Sequence, residues 1–412
     1  MSWFVTHLEC VHCGRRYDPA PDRYVCTECG IKGILDVKYD YEALTGRLTR
    51  EWFRQSPDRS QWRYFDLLPL ARRETIQDLQ VGWTPLYLAG RLGEHLGFPN
   101  LYIKDDGRNP TGSFKDRASA VGVARALEIG ARVVACASTG NAASSLAGFS
   151  AAAGLTSYIF VPATAPEAKV TQLLVYGANV LLVDGTYDEA YYLCNAACER
   201  WGWYNRNCAI NPYLMEGKKT AGWEIAEQFG WDPPDWVVMA VGDGCSLAGV
   251  WKGFAEAKLL GLIDRTPRMA GVQAEGARPL VDAFERGSVA PVRPQTLADS
   301  IAVGEPRNAA KVLRAVRDSQ GTMITVSDDD ILAAIHELAR FTGVFAEPAG
   351  AAAYAGFKKL LHAGVIGREE RVVVVVTGNG LKDIKSARAA VQGGRTLRPD
   401  LAELAKILEA AR

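Results

Sequence analysis

A chain of 412 residues, 48% of them hydrophobic and 23% charged, is long enough for one large core or two moderate ones with a small accessory. Its 47 Lys and Arg balance 47 Asp and Glu, so no face for a polyanion is announced and no nucleic acid is expected as a partner. No apolar run approaches the roughly 18 residues of a membrane span, and the opening "MSWFVTHLEC" lacks the basic-then-apolar order of a secretory signal; a cytoplasmic protein with no membrane partner is expected.

In chain order, the first device is a repeated knuckle, "CVHCG" at Cys10 to Gly14 and "CTECG" at Cys26 to Gly30. Each holds two thiols three positions apart and ends on a glycine that lets the chain turn. Cys10, Cys13, Cys26 and Cys29 can close a tetrahedron around zinc, and four thiolates leave no open coordination position, so a structural role is expected. His12, inside the first knuckle, reads as a solvated loop residue. A linker with short helical pieces follows. From about residue 100, short apolar runs alternate with amphipathic stretches, the pattern of α/β units around a mainly parallel sheet. The spacing predicts strands at Leu101 to Lys104, Arg132 to Ala137, Thr156 to Val161, Asn179 to Val183, Trp236 to Val241, Met269 to Ala274, Met323 to Val326 and Arg371 to Val376. It predicts helices over Asp116 to Ile129 and Asp328 to Thr342, the second capped by Ser327 with an acidic first turn. The closing "LRPDLAELAKILEAAR" reads as an amphipathic helix for packing or subunit contact. The other five cysteines are scattered and read as reduced thiols.

Three of these strands end in one kind of turn. "RVVACA" runs into Ser138 to Asn141, "DWVVMAV" into Gly242 to Ser246, and "RVVVVV" into "TGNGLKD" from Thr377. In an open α/β sheet, ligands lie at the carboxyl ends of strands, where glycine turns and helix amino termini suit an anion. Together with "NPTGSFKD" the three turns point to one shared anionic ligand.

Lys115 opens an apolar-striped helix, the end that cations disfavour. A lysine amine becomes a nucleophile when it forms a Schiff base with a carbonyl compound, and pyridoxal phosphate is the common partner. Its phosphate needs a glycine cradle, its ring an apolar cover and its ring nitrogen a hydrogen-bond partner.

The stretches "NPTGSFKDR", "ASTGN", "EGKKT", "GVWKGF", "ADSIAVGEPRN", "EPAGAA" and "TGNGLKD" resemble threonine synthase and its relatives among the fold-type-II pyridoxal phosphate enzymes, over roughly residues 80 to 390. The resemblance implies an α/β fold with two three-layer α/β/α lobes around mainly parallel sheets, plus an amino-terminal zinc-ribbon-like module. It implies this organisation: the ribbon at 1–40, the first part of a large cofactor domain at 41–116, a nested small domain at 117–205, the second part of the large domain at 206–395, and a carboxy-terminal helix at 396–412. By position, Lys115 matches the cofactor-bearing lysine, Phe114 the residue packing near the ring and Asn141 the partner of the phenolic oxygen. Gly242, Asp243, Gly244, Cys245 and Ser246 match the phosphate cradle, and Thr377 a neutral hydroxyl at the ring nitrogen. Such a neutral partner suits elimination and replacement better than transamination. Ser138, Thr139 and Gly140 are assigned to the substrate carboxylate, because backbone and hydroxyl donors there face it. The implied substrate is an amino acid, and fold relatives imply a homodimer.

Threonine synthase itself would bind O-phosphohomoserine, so two phosphates must be held. The family stretch "NSxNPYRxEGQKT" stands here as "CAINPYLMEGKKT", with Cys208, Ala209 and Leu214 in place of asparagine, serine and arginine. A charge-assisted arginine contact contributes about 1.5 to 3 kcal/mol, which leucine cannot supply. Lys218, Lys104 and Arg108 are the candidate replacements. Asp243 belongs beside a phosphate only if its side chain turns away or caps a backbone amide. The departures keep open a β-eliminating ammonia-lyase of threonine or diaminopropionate type and a β-replacing synthase such as cysteate synthase; a non-catalytic ribbon protein is the remote third reading. Glu275 divides between lining the site and structure, Glu347 reads as the start of a helix, and Cys245 as packing.

Overall fold

The computed structural model describes residues 3–409 apart from 22 and 166. The termini of the expected ribbon and of the closing helix, at 1–2 and 410–412, lie outside the described residues.

Three sheets organise the chain. The first 40 residues form a four-stranded antiparallel sheet, ordered Arg16–Tyr17, Val5–Cys10, Gly30–Tyr39, Val25–Cys26. A second sheet has four parallel strands, ordered Tyr204–Asn205, Val133–Ala137, Thr156–Pro162, Asn179–Val183. The third has six, ordered Thr322–Val326, Arg268–Ala274, Trp236–Ala240, Val372–Val376, Leu101–Asp105, Leu86–Leu88, and only the last pairing is antiparallel. All eight strands expected from the spacing are present, because each is a short, largely apolar run bounded by turns. Val372 to Val376 carries five consecutive valines, every one wholly buried, as a central strand covered on both faces requires.

Helices cover the sheets and set the site. Lys115–Glu128 begins at the expected lysine, and Asp328–Thr342 is held by the reciprocal capping of Ser327 and Asp330. Lys115–Glu128 and Leu214–Gln228 meet backbone to backbone: a Cβ on Gly217 would come within 1.9 Å of the Arg117 carbonyl oxygen, so only glycine fits there. That close approach places Lys218, one residue on, beside Lys115.

The amino-terminal sheet is tied by polar contacts to the helices Cys245–Leu259, Ala309–Asp318 and Leu214–Gln228. Lys252 and Lys311 both reach Asp36, at 3.2 and 3.3 Å, and Tyr39 donates to buried Glu216 at 2.9 Å. The closing helix, Leu401–Glu409, has no buried residue, and Leu401, Leu404 and Leu408 are exposed. Among the described residues no helix is long and apolar enough to cross a membrane.

Candidate active site

The three glycine turns meet Lys115 in one cleft between the two parallel sheets. Lys115, Cys208, Lys218, Gly242 to Leu247, Glu347 and Thr377 line its inner part. The outer part, about 550 Å³, is lined by Lys115, Ser138 to Asn141, Arg206, Cys208, Asp243 and Arg307 among others. The loops at its base are stitched together by backbone: the Phe114 amide donates to the Thr377 carbonyl at 2.8 Å, and the Asn379 amide to Gly112 at 3.0 Å. These bonds fix the lysine against the turn after the central strand.

Burial pushes the Lys115 amine below the usual lysine range, and neighbouring Lys218 adds to the effect against the opposing pull of Cys208 and Glu347. A larger fraction of neutral amine is the form a nucleophile or base needs.

Opposite the lysine, Gly242 to Ser246 lead into the 15-residue helix Cys245–Leu259. Its first turn offers amides with no intrahelical acceptor, and its dipole favours an anion. Gly244 has φ of +90°, a left-handed turn that a side chain would strain. Asp243 accepts from the Arg307 amide at 3.1 Å, so its carboxylate caps a loop amide. Burial and nearby Cys208 still raise its acid to about 7, against the pull of Arg307.

Asn141 begins the helix Asn141–Ala153, and its amide nitrogen donates to both oxygens of Glu347, at 2.7 and 3.0 Å. Glu347 therefore does more than open a helix. It is the residue before Pro348 of the helix Pro348–His362 but makes no side-chain capping bond there. Its carboxyl instead faces the site, raised by burial while Asn141 and Lys382 oppose the shift.

Several expectations shift. Phe114 is fully buried in the hydrophobic core, with the Arg117 guanidinium 5.6 Å from its ring centroid, and does not line the cleft. Lys104 is wholly buried and committed to Glu224, at 2.8 Å, and to the Thr84 carbonyl. Arg108 is exposed outside the cleft lining. Neither replaces the missing arginine. Lys218 does face the cleft, with no hydrogen-bond acceptor among the described residues. Leu214 is turned away: a Cβ on Gly122 would meet its Cδ2 at 2.6 Å. Glu275 is exposed and lies 3.8 Å from Lys359. Cys245 does line the cleft, its sulfur 3.4 Å from that of Cys208. That contact and the cations Lys218, Lys115 and Arg206 hold the Cys208 thiol well below its usual range despite burial.

Arg206 and Arg307 were not foreseen. Arg206 follows a strand of only two residues, too short for any periodic signal, though it obeys the carboxyl-end rule. At the far end of the chain's first module, the sulfurs of Cys10, Cys13, Cys26 and Cys29 all lie within 4.8 Å of one another, a spread that one tetrahedral zinc with bonds near about 2.3 Å can gather.

An aldehyde cofactor with a phosphate fits this donor set: an amine with no partner among the described residues, a helix amino terminus, and a buried threonine lining the same cleft. A family model described as "Pyridoxal-phosphate dependent enzyme" matches residues 77–378, well over half of the chain. A threonine synthase of Methanosarcina acetivorans is 44% identical over 381 residues, 92% of each chain. One of Methanocaldococcus jannaschii is 41% identical over 404 residues, 97% of this chain and 98% of that one. Among solved structures, the processed form of threonine deaminase isoform 2 from Solanum lycopersicum matches with a TM-score of 0.63 at 25% identity, covering 75% of this chain and 87% of that one. Diaminopropionate ammonia lyase from Escherichia coli, 16% identical, shares the fold with a TM-score of 0.65 over 95% of this chain and 98% of that one. The chain belongs to the pyridoxal-phosphate dependent enzyme family, in the group formed by the threonine synthases and their close relatives.

Proposed function

We propose that the chain is a threonine synthase that converts O-phosphohomoserine and water to threonine and phosphate. The observation that carries the reading is the unpaired Lys115 amine, set between the cradle at 242–246 and the turn at 138–141 in one cleft. Likeness to threonine synthases over nearly the whole chain supports the substrate class.

Lys115 holds the cofactor through its amine, and Gly242, Asp243, Gly244, Cys245 and Ser246 bind its phosphate. Pyridoxal phosphate, when bound, supplies an electron sink that acidifies the carbons next to the substrate's amino group. Thr377 would offer the ring nitrogen a neutral hydroxyl, and Asn141, oriented by Glu347, would reach the phenolic oxygen. Ser138, Thr139 and Gly140 hold the substrate carboxylate. Lys115 then takes the α-proton and returns protons as phosphate leaves the γ-carbon and water adds at the β-carbon; a basicity lowered by burial makes the neutral, proton-accepting amine easier to reach. Phe114 braces the base of this lysine from the core. Cys10, Cys13, Cys26 and Cys29 hold a structural zinc in the 1–40 module, the domain boundaries follow those read from the sequence, and the enzyme works as a cytoplasmic homodimer.

A turnover panel tests the reading. O-phosphohomoserine should give threonine and inorganic phosphate in equal amounts. Release of a 2-oxoacid from threonine or diaminopropionate, or sulfite-dependent release of phosphate from O-phosphoserine, with O-phosphohomoserine inert, would overturn it.

A further inference from the structure

The family's arginine for the substrate phosphate is leucine here, and that leucine is packed on Gly122. The charge must come from elsewhere if the substrate is phosphorylated. Several cations lie in the cleft and in the pocket beside it, and three are already engaged. Lys169 is paired with Asp299 and Arg307 with Asp188; Lys382 donates to Ser144 at 3.0 Å and Gln172 at 3.4 Å.

Two others are different. Lys218 is 3% exposed and Arg206 2% exposed, yet neither meets a carboxylate within ion-pair reach among the described residues. Arg206 gives Nε and Nη2 to the Ser119 hydroxyl, at 3.2 and 3.0 Å, and leaves Nη1 unused. Lys218 gives its ammonium to no acceptor. Both lie beside Cys208, Lys218 on the cradle side of the cleft and Arg206 on the side of the 138–141 turn. Buried cations without partners are costly unless a ligand supplies the counter-charge. The cofactor phosphate already has the cradle and a helix dipole, which leaves this pair for a second dianion next to Lys115.

We propose that Arg206 and Lys218, converging on Cys208, form the subsite for the substrate's phosphate and so set the enzyme's preference for a phosphorylated amino acid. This rests on the proposed reaction. The subsite is built from the residue after the strand Tyr204–Asn205 and from the second turn of the helix Leu214–Gln228, not from position 214. Arg206 brings a planar fork, Lys218 a point charge.

The test uses the holoenzyme and two probes, O-phosphohomoserine in turnover and inorganic phosphate in calorimetry. Arg206→Gln and Lys218→Gln should each raise KM for the substrate and Kd for inorganic phosphate by about ten-fold or more, while cofactor affinity and its visible band stay unchanged. Arg206→Lys should lose less than Arg206→Gln, which separates a lost charge from a damaged fold. Unaltered KM and phosphate Kd in both glutamine variants would overturn the subsite while the reaction stands. So would a Lys218→Gln effect confined to cofactor affinity. A wild-type enzyme inert to O-phosphohomoserine would refute the reaction instead, and the calorimetric arm would still decide whether Arg206 and Lys218 bind a phosphate.

Discussion

Two clusters of buried cations flank the helix Lys115–Glu128, and they are built on opposite plans. In the first, Arg117 lies between Asp106 at 2.6 Å and Glu224, and Lys104 joins Glu224 at 2.8 Å. Two cations meet two carboxylates, and all four side chains are wholly removed from solvent. In the second, two residues earlier on the same helix, Lys115 shares the cleft with Lys218 and Arg206, and no carboxylate pairs with any of the three among the described residues. Balanced charge holds the helices Lys115–Glu128 and Leu214–Gln228 to the strand Leu101–Asp105. Unpaired cations gather where the proposed cofactor and substrate would bind. Burial alone does not distinguish a structural lysine from a functional one; the partner list does.

The largest effect that breaks the contrast is at Lys115. Lys115→Ala should lower turnover by on the order of a thousand-fold or more, as loss of the base and of the cofactor link together demands, with little change in the melting temperature of the cofactor-free protein. The reverse profile belongs to the balanced cluster. Glu224→Gln should destabilise the fold by about 3 to 5 kcal/mol in denaturant titration, because it strands buried Lys104 and leaves Arg117 with Asp106 alone. Lys218→Met removes a buried charge that has no protein partner, so the cofactor-free protein should be as stable as wild type or more so; a loss as large as that of Glu224→Gln would erase the distinction. A smaller effect sharpens it. Asp243 is an acid raised to about 7 in the fold, above the ordinary value of about 3.9. Its contribution to stability is present below that ordinary value and is lost as pH rises through about 7. Asp243→Asn should flatten this part of the stability–pH curve of the cofactor-free protein, and an unchanged slope would place the titration elsewhere.

Much of the fold was legible because its signals are local. Eight strands, the Ser327 cap and the helix beginning at Lys115 follow from short, largely apolar runs, turn residues and capping chemistry. The three glycine turns are legible for the same reason, and the structure brings all three to the cleft that holds Lys115. What stayed hidden depends on tertiary direction. Lys104 and Lys115 look alike along the chain, yet one points into the interior and the other into the cleft. Phe114 is placed near the ring by resemblance alone, and no local signal shows that its side chain packs in the core while that of Lys115 reaches the cleft. Glu347 occupies the place of a helix cap, and nothing local reveals that its carboxyl turns to Asn141, more than two hundred positions away in sequence. Arg206 lay behind a two-residue strand that only the neighbouring strand Val133–Ala137 defines.

The central claim is that the unpaired lysine at the head of its helix, and no other cleft lysine, carries the cofactor. Borohydride reduction of the loaded enzyme followed by peptide mass mapping tests it most directly. The account predicts loss of the visible band and a single reduced adduct on Lys115. An adduct on Lys218 or Lys382, or no visible band after addition of pyridoxal phosphate, would contradict it.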